Sequence, residues 1–379
     1  MNLYEASNQW ANRPDDERFA SIAKMRETCH GYFSSAVEGR AAWRALSVVP
    51  EADQMTLCGA TSHASLTHYA FGQLAQRAGA PAEYLRSLPA ELASRALNYG
   101  LAEKGDYTQA QILLHQNGGF VARALTSTAY ERIWNWEVCD RLGGLVDQGW
   151  RVPPARPCRP DQAGARLATE VDLLRDEGFG LSVKIGDPIA PAGLYASDRD
   201  MFAFLVNENR VGNSLARGFF VSNSEVGDAA LKLTTFLYNH VCGNHIVWDA
   251  DQVRQTRIIH MGRGARHWRI ELRALDAWSE ESTEHELERI TAAKTHALGA
   301  SKEEVLDAVF RLRDVGLSRT MIGHGYDTAE AHPDDADGAS PRTVWGMVQG
   351  LTRYSQTRPH AGDRVSIDRA AGRLLRVAF

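Results

Sequence analysis

Residues 253–270, VRQTRIIHMGRGARHWRI, hold five arginines and two histidines and no acid. Guanidinium groups bind phosphates through paired hydrogen bonds, and glycines leave backbone N–H groups open to the same oxygens. Arg254, Arg257, Arg263, Arg266 and Arg269 alternate here with Ile258, Ile259, Met261, Trp268 and Ile270. If 257–261 is a strand, Arg257, Ile259 and Met261 share one face, and Ile258 and His260 the other. Gly262-Arg263-Gly264 then reads as a hairpin tip carrying Arg263 outward. Trp268, between Arg266 and Arg269, is a candidate stacking platform for an unpaired base. The bland alternative is an arginine-rich surface hairpin paired with acids such as Glu281, Glu284, Glu286 and Glu288, with Trp268 in the core.

Other chemistry is sparser. NHVCGNH places His240, Cys242 and His245 close together, a mixed imidazole and thiol set. A tetrahedral zinc site needs a fourth ligand and usually a second paired unit, which the chain does not offer. No metal site is therefore expected. His63 and His68 are five apart and do not share a helix face. There is no GxSxG elbow, no GxxxxGK[ST] phosphate loop and no GxGxxG after a strand. EVDLLRDEG and SVKIGD bring Asp176, Glu177 and Lys184 near one another in a loose imitation of a nuclease core, for which a solvated edge is the simpler reading. FGQLAQRAGAPAEYLRSL has the cadence of a helix-turn-helix, but Glu83, Tyr84, Arg86 and Ser87 make a poor base-reading set.

The chain that must position these residues has 379 of them, with 44% apolar and 23% charged side chains and a formal net charge of −5. It reads as an ordinary globular protein, and any nucleic-acid surface must be local. The polar N-terminus resembles no signal peptide, and no apolar run matches a membrane span. Five widely spaced cysteines without a CxxC pair indicate free thiols, so a cytoplasmic protein is expected.

Residues 1–150 read as mostly helical. Asp15 and Asp16 mark a helix start; Gly79 ends one helix and Pro81 opens the next. GGFVARALTSTAY reads as a short strand and ERIWNWEVCDRLGGL as a helix. The proline- and arginine-rich stretch 151–164 reads as a linker or loop. Residues 165–270 form a β-rich core: GFGLSVKIGDPI, DRDMFAFLVNENRV and RGFFVSNSEV give an antiparallel meander, and RIIHM a further strand. DAALKLTTFLYNHVCGN reads as a helix, with Thr234 and Thr235 leaving room for a strand. Residues 271–379 are helical, with Ser301 to Glu304 as a capping box. The fold class is α+β: a central antiparallel meander with packed helices, between helical terminal regions.

WANRPDDERFASI, FGQLAQRAGAPAEYL, VARALTSTAYERIWN, FVSNSEVGDAALKLTTFLYNHVCGNHIVW and WGMVQGLTRYSQ follow one another in an order that resembles the phage/plasmid-like proteins. These are built on an uncharacterised plasmid- and prophage-associated domain. The resemblance runs from about residue 10 to 357 and is most specific in SNSEVG…LYNHVCGN. Gly243-Asn244-His245 departs from the family's usual VCTNG. The family implies a mobile-element role and supplies no catalytic residues.

Residues 179–248 also look like the core of the Rad-type single-strand annealing proteins, in which a β-β-β-α unit lines a groove for single-stranded DNA. That likeness implies Lys184, Arg199, Arg210, Arg217 and Lys232 as groove residues. Together these readings predict a protein that binds single-stranded nucleic acid without sequence preference, with strand annealing as the activity the likeness implies. It would need no cofactor and work as a homo-oligomeric ring or filament; no membrane is involved. The alternatives are an interaction protein for another phage or plasmid product and, third, a metal-dependent nucleic-acid enzyme.

Overall fold

The structure is a computed structural model. It describes residues 15–19, 21–51, 54–59, 63–104, 107–116, 118–152, 156–157, 166–168, 184–190, 194–211, 215–239, 255–271, 275, 284–312, 315–336, 338–356, 367 and 370–375. The fold is α+β.

The first region runs α1 (Ile22–Ser34), β1 (Ala36–Ala42), β2 (Ser47–Glu51), β3 (Gln54–Cys58), β4 (Ala64–Leu66), α2 (His68–Ala78), α3 (Ala82–Ser87), α4 (Ala90–Lys104), β5 (Gln109–Gln116), β6 (Phe120–Ser127) and α5 (Asn135–Gly143). Its six strands form one sheet in the order β1-β5-β6-β4-β3-β2. All pairs are antiparallel except β4 with β6. Sheet thus accompanies the helices in a region whose sequence reads as mostly helical. The strands are short, and β5 (QAQILLHQ) is buried without interruption from Ala110 to Leu114 because both of its faces are covered, so its polar–apolar alternation breaks off at Ile112-Leu113-Leu114. One face packs Ala110, Ile112 and Leu114 against Leu74, Ala75 and Leu97 of α2 and α4. On the other, Leu113 and Ala124 meet Val226, from the second sheet's turn.

Local signals set several boundaries. Gly79 ends α2 with φ 69°, a left-handed conformation that glycine adopts without a Cβ penalty. Pro81 stands at the start of α3. The cap of α1 is Ser21, whose Oγ accepts from the Lys24 N–H at 3.2 Å; Asp15 and Asp16 lie in a short 3-10 turn before it. No DNA-reading helix-turn-helix results from FGQLAQRAGAPAEYLRSL. The second helix has only six residues, and Arg86 turns back to donate to the His68 carbonyl at 2.7 Å.

The second sheet contains β7 (Trp150–Arg151), β11 (Leu194–Ala196), β12 (Met201–Val211), β13 (Leu215–Asn223), β14 (Leu231–Asn239) and β15 (Gln255–Ile258). Its order is β11-β12-β13-β14-β15, with β7 on β12, all antiparallel. Of the three segments read as a meander, DRDMFAFLVNENRV and RGFFVSNSEV pair as β12 and β13 of this sheet. The described end of GFGLSVKIGDPI instead gives a strand of a separate small sheet, its residues 178–183 lying outside the described residues. The strand after β13 is the segment that reads as a helix: LKLTTFLYN is β14. Its β-branched threonines outweigh its helix formers, because β13 and β15 supply partners on both sides. β8 (Arg156–Pro157), β9 (Arg166–Leu167) and β10 (Pro188–Ala190) form a small separate sheet, so the expected linker contributes a strand.

α1 and α5 lie on one face of the second sheet. Ile22, Met25, Cys29, Val138, Cys139 and Leu142 pack against Met201, Ala203, Leu205, Phe219, Val221 and Leu233. The last region is helical: α6 (Gly262–Arg266), α7 (Trp268–Glu271), α8 (Glu284–Thr295), α9 (Lys302–Arg311), α10 (Arg319–Ala331) and α11 (Val344–Gln356). α8 to α11 build a core of their own around Trp345, Val348 and Leu351. Ser301 caps α9, its Oγ accepting from the Glu304 N–H at 3.3 Å while the Glu304 carboxylate accepts from the Ala300 N–H. Among the described residues no helix is long and apolar enough to cross a membrane.

Candidate nucleic-acid interface

Alternation along β15 sets out the site. Ile258 is buried in the core beside Leu231 of β14, and His260 is also buried, whereas Arg257, Ile259 and Met261 are exposed. This is the two-faced arrangement that RIIHM implies. Arg257 therefore projects away from the α1–α5 core, and its register partner on β14 is Lys232, which is half-buried. Lys232 in turn pairs with Ser222 of β13. Two cations directly opposite one another repel, and β15 is the terminal strand of the sheet among the described residues.

The chain then departs from the hairpin tip expected of Gly262-Arg263-Gly264. Gly262 takes φ 68°, and residues 262–266 wind into α6. Ala265 and Trp268 enter the core, with Trp268 4% exposed. Trp268 is thus a core residue and not a stacking platform: the short helices lay its indole against the sheet.

Arg266 and Arg269 stay exposed and reach across to the segment before and within α5. Arg266 donates through Nε and Nη2 to Glu131 Oε1, at 2.9 and 2.6 Å. Arg269 donates to Glu137 Oε1 at 2.5 Å and stands 5.3 Å over the Trp268 ring. The acids that this arginine row, Arg266 and Arg269, meets are Glu131 and Glu137, more than 130 positions upstream in the chain; Glu281 and the side chain of Glu286 lie outside the described residues. Nothing local in the sequence signals Glu131 and Glu137.

Beneath the row, Tyr130 and His260 stack flat, with ring centroids 5.0 Å apart. The Tyr130 hydroxyl donates to the Ser224 carbonyl at 3.0 Å, and the Glu131 N–H donates to the His260 carbonyl at 2.8 Å. Burial pushes the Tyr130 phenol up, and burial with the Arg132 charge lowers the His260 imidazole to about 4. His260 is thus neutral near pH 7.

Ser224 belongs to SNSEVG, the turn from β13 to β14, which docks on the first sheet. Glu225 accepts from Arg123 Nη2 at 3.0 Å and from the Asn135 N–H at 2.7 Å. Arg123 also donates to the Asp198 carbonyl, and Arg132 donates to the Glu225 carbonyl. Gln73 of α2 bridges both sides, donating to the Val226 carbonyl and accepting from the Leu125 N–H. The SNSEVG turn is thus the joint between the two sheets.

The remaining candidates scatter. Arg217 is buried on the core-facing side of β13 with Phe219 and Val221, so it lines no open groove. Arg199 pairs with Asp228 at 2.9 Å and lies over the Tyr69 ring. Lys184 is exposed in the turn before β10, apart from the β14–β15 pair in the sheet plan. Arg210 lies on β12 and Arg263 on α6. Arg254, Asp176, Glu177, His240, Cys242 and His245 lie outside the described residues. Among the described residues no group of three or more histidine, cysteine or acidic side chains is placed to hold a metal ion. The arginine stretch thus divides: Arg257 joins Lys232 on one face of the sheet, while Arg266 and Arg269 line α5 on the other side. The chain matches no protein-family model, curated protein or solved structure.

Proposed function

We propose that this protein binds single-stranded nucleic acid without sequence preference at the β14–β15 edge of its second sheet, as part of a strand-annealing or recombination role on a mobile element. The observation that carries this reading is the Lys232–Arg257 pair, two cations held opposite each other by strand register in a protein of net charge −5. Their repulsion is relieved when a phosphate sits between them, so folding prepares a site that an anion completes. Arg266 and Arg269 lie on the sheet's other side, so a strand that crosses the β15 edge reaches them there and exchanges Glu131 and Glu137 for phosphates. The resemblance to plasmid- and prophage-associated proteins agrees with this role, and self-assembly would multiply a modest per-subunit affinity.

The test is a Lys232→Ala/Arg257→Ala double variant titrated with single-stranded DNA over a range of salt. Affinity should fall for every sequence alike, and the slope of log K against log salt should flatten by about 0.7 for each phosphate no longer bound. Unchanged affinity and slope would remove this edge from the reading.

One observation favours a second reading, an interaction protein. Arg266 and Arg269 already have carboxylate partners, and Ile259 and Met261, 50% and 52% exposed, lie beside Arg257. An apolar and cationic edge strand of this kind suits an acidic protein segment added to the sheet. That reading predicts no affinity for nucleic acid even at low salt.

A further inference from the structure

With Trp268 buried, the Lys232–Arg257 edge lacks a surface for bases, and a group of rings on the α1–α5 side of the sheet, the side of Arg266 and Arg269, offers one. Along α1 the buried stripe is Ile22, Met25 and Cys29. Arg26, His30 and Phe33 follow at helical spacing on the stripe's border, where side chains are half inside and half out. The chain entering α5 places Trp134 and Trp136 beside them. Phe33 meets Trp134 edge-on at 4.9 Å and Trp136 at 5.3 Å between ring centroids, and His30 meets Trp136 edge-on at 5.4 Å. Two guanidinium groups cover the cluster: Arg26 lies 5.8 Å from the Trp136 ring and Arg132 lies 5.4 Å from the Trp134 ring.

His30 is exposed, and Phe33, Trp134 and Trp136 are each partly exposed. Trp136 and Trp134 pack partly against the buried cores, and the remaining ring surface of the cluster lies at the protein's exterior, interleaved with cations. The cluster also adjoins the arginine row, since Arg269 binds Glu137, the residue next to Trp136. Carboxylates facing it are Asp140, which holds Arg26 at 2.7 Å, Glu137, and Glu38, which holds Arg132 at 3.1 Å.

We infer that the His30–Phe33–Trp134–Trp136 cluster is a stacking platform for the unpaired bases of single-stranded nucleic acid, with Arg26 and Arg269 taking the adjoining phosphates. The inference rests on the binding reading above and adds to it what the protein holds besides the backbone. Stacking on aromatic faces is tolerant of sequence, because every base presents a π-surface. Duplex DNA, whose bases are already stacked, would gain nothing from the platform.

The full-length protein is titrated with labelled oligothymidylate and with an abasic phosphodiester of the same length and charge. The parent should bind oligothymidylate on the order of tenfold or more tighter than the abasic strand. His30→Ala and Trp136→Ala should shrink that ratio, Trp136→Phe should keep most of it, and Lys232→Ala/Arg257→Ala should weaken both ligands together. His30 is exposed, so its variant tests the platform without disturbing the core. Equal affinity of the parent for both strands would overturn the platform while leaving backbone binding in place. A ratio unmoved by either alanine variant would overturn it too. Binding to neither strand at low salt would instead sink the nucleic-acid reading itself, and the platform with it.

Discussion

Arg123 of β6 and Glu225 of the β13–β14 turn lie 3.0 Å apart at the joint between the two sheets, exposed by only 2% and 1%. Neither charge has water to fall back on, so each depends on the other and on the Asn135 N–H and the Asp198 carbonyl around them. Removing one partner leaves a buried charge uncompensated. Glu225→Ala or Arg123→Ala should therefore destabilise the protein by about 3–5 kcal/mol in chemical denaturation. A double replacement by apolar residues should cost clearly less than the sum of the single changes. Additive losses would contradict the pairing.

His260 makes stability depend on pH. Its folded value of about 4 lies below the ordinary value of 6.5, so the unfolded chain takes up a proton first as pH falls. Its contribution is complete above the unfolded value and is lost between about 6.5 and about 4. Lowering pH from about 7 to about 5 should remove about 2 kcal/mol through this residue. His260→Phe keeps a ring against Tyr130 and should lose that part of the slope; identical slopes in parent and variant would exclude His260 as the source.

Trp268 separates core from interface. As a core residue it should cost about 3–5 kcal/mol when replaced by alanine. Arg266→Ala and Arg269→Ala break exposed pairs, and each should change stability by no more than about 1 kcal/mol while weakening the binding of a single strand. A Trp268→Ala variant as stable as the parent would contradict its placement.

The C-terminal helices cross closely at Gly350, where a Cβ would stand 2.2 Å from the Gly325 carbonyl oxygen and 2.6 Å from the Ala329 Cβ. Gly350→Ala must push α10 and α11 apart and should cost about 1–3 kcal/mol, read as a lowered melting temperature. An unchanged melting temperature would contradict this crossing.

Legible in the sequence is what local chemistry fixes. Gly79, Pro81 and Ser301 mark helix ends through conformation and capping, and the alternation Arg257, Ile258, Ile259, His260, Met261 sorts its faces correctly. The meander is legible where aromatic and β-branched residues alternate, in β12 and β13. β14 reads wrongly because LKLTTFLYN satisfies helix propensity until β13 and β15 flank it. The first sheet escapes because β5 is buried on both faces and its alternation breaks off at Ile112-Leu113-Leu114. The candidate site is legible only in parts. Lys232 gains its meaning from register with Arg257, and Glu131 and Glu137 from a chain reversal spanning more than 130 residues. Trp268, placed between two arginines in sequence, turns inward because α6 and α7 coil where a hairpin tip is expected.

The most direct test of the central claim is fluorescence anisotropy of a labelled single-stranded oligonucleotide, titrated with the full-length protein at low and at physiological salt beside a duplex control. Micromolar or tighter binding of the single strand is expected, falling steeply with salt and exceeding the binding of duplex. No change in anisotropy at low salt would contradict it, and the Lys232–Arg257 edge would then belong to an acidic protein partner.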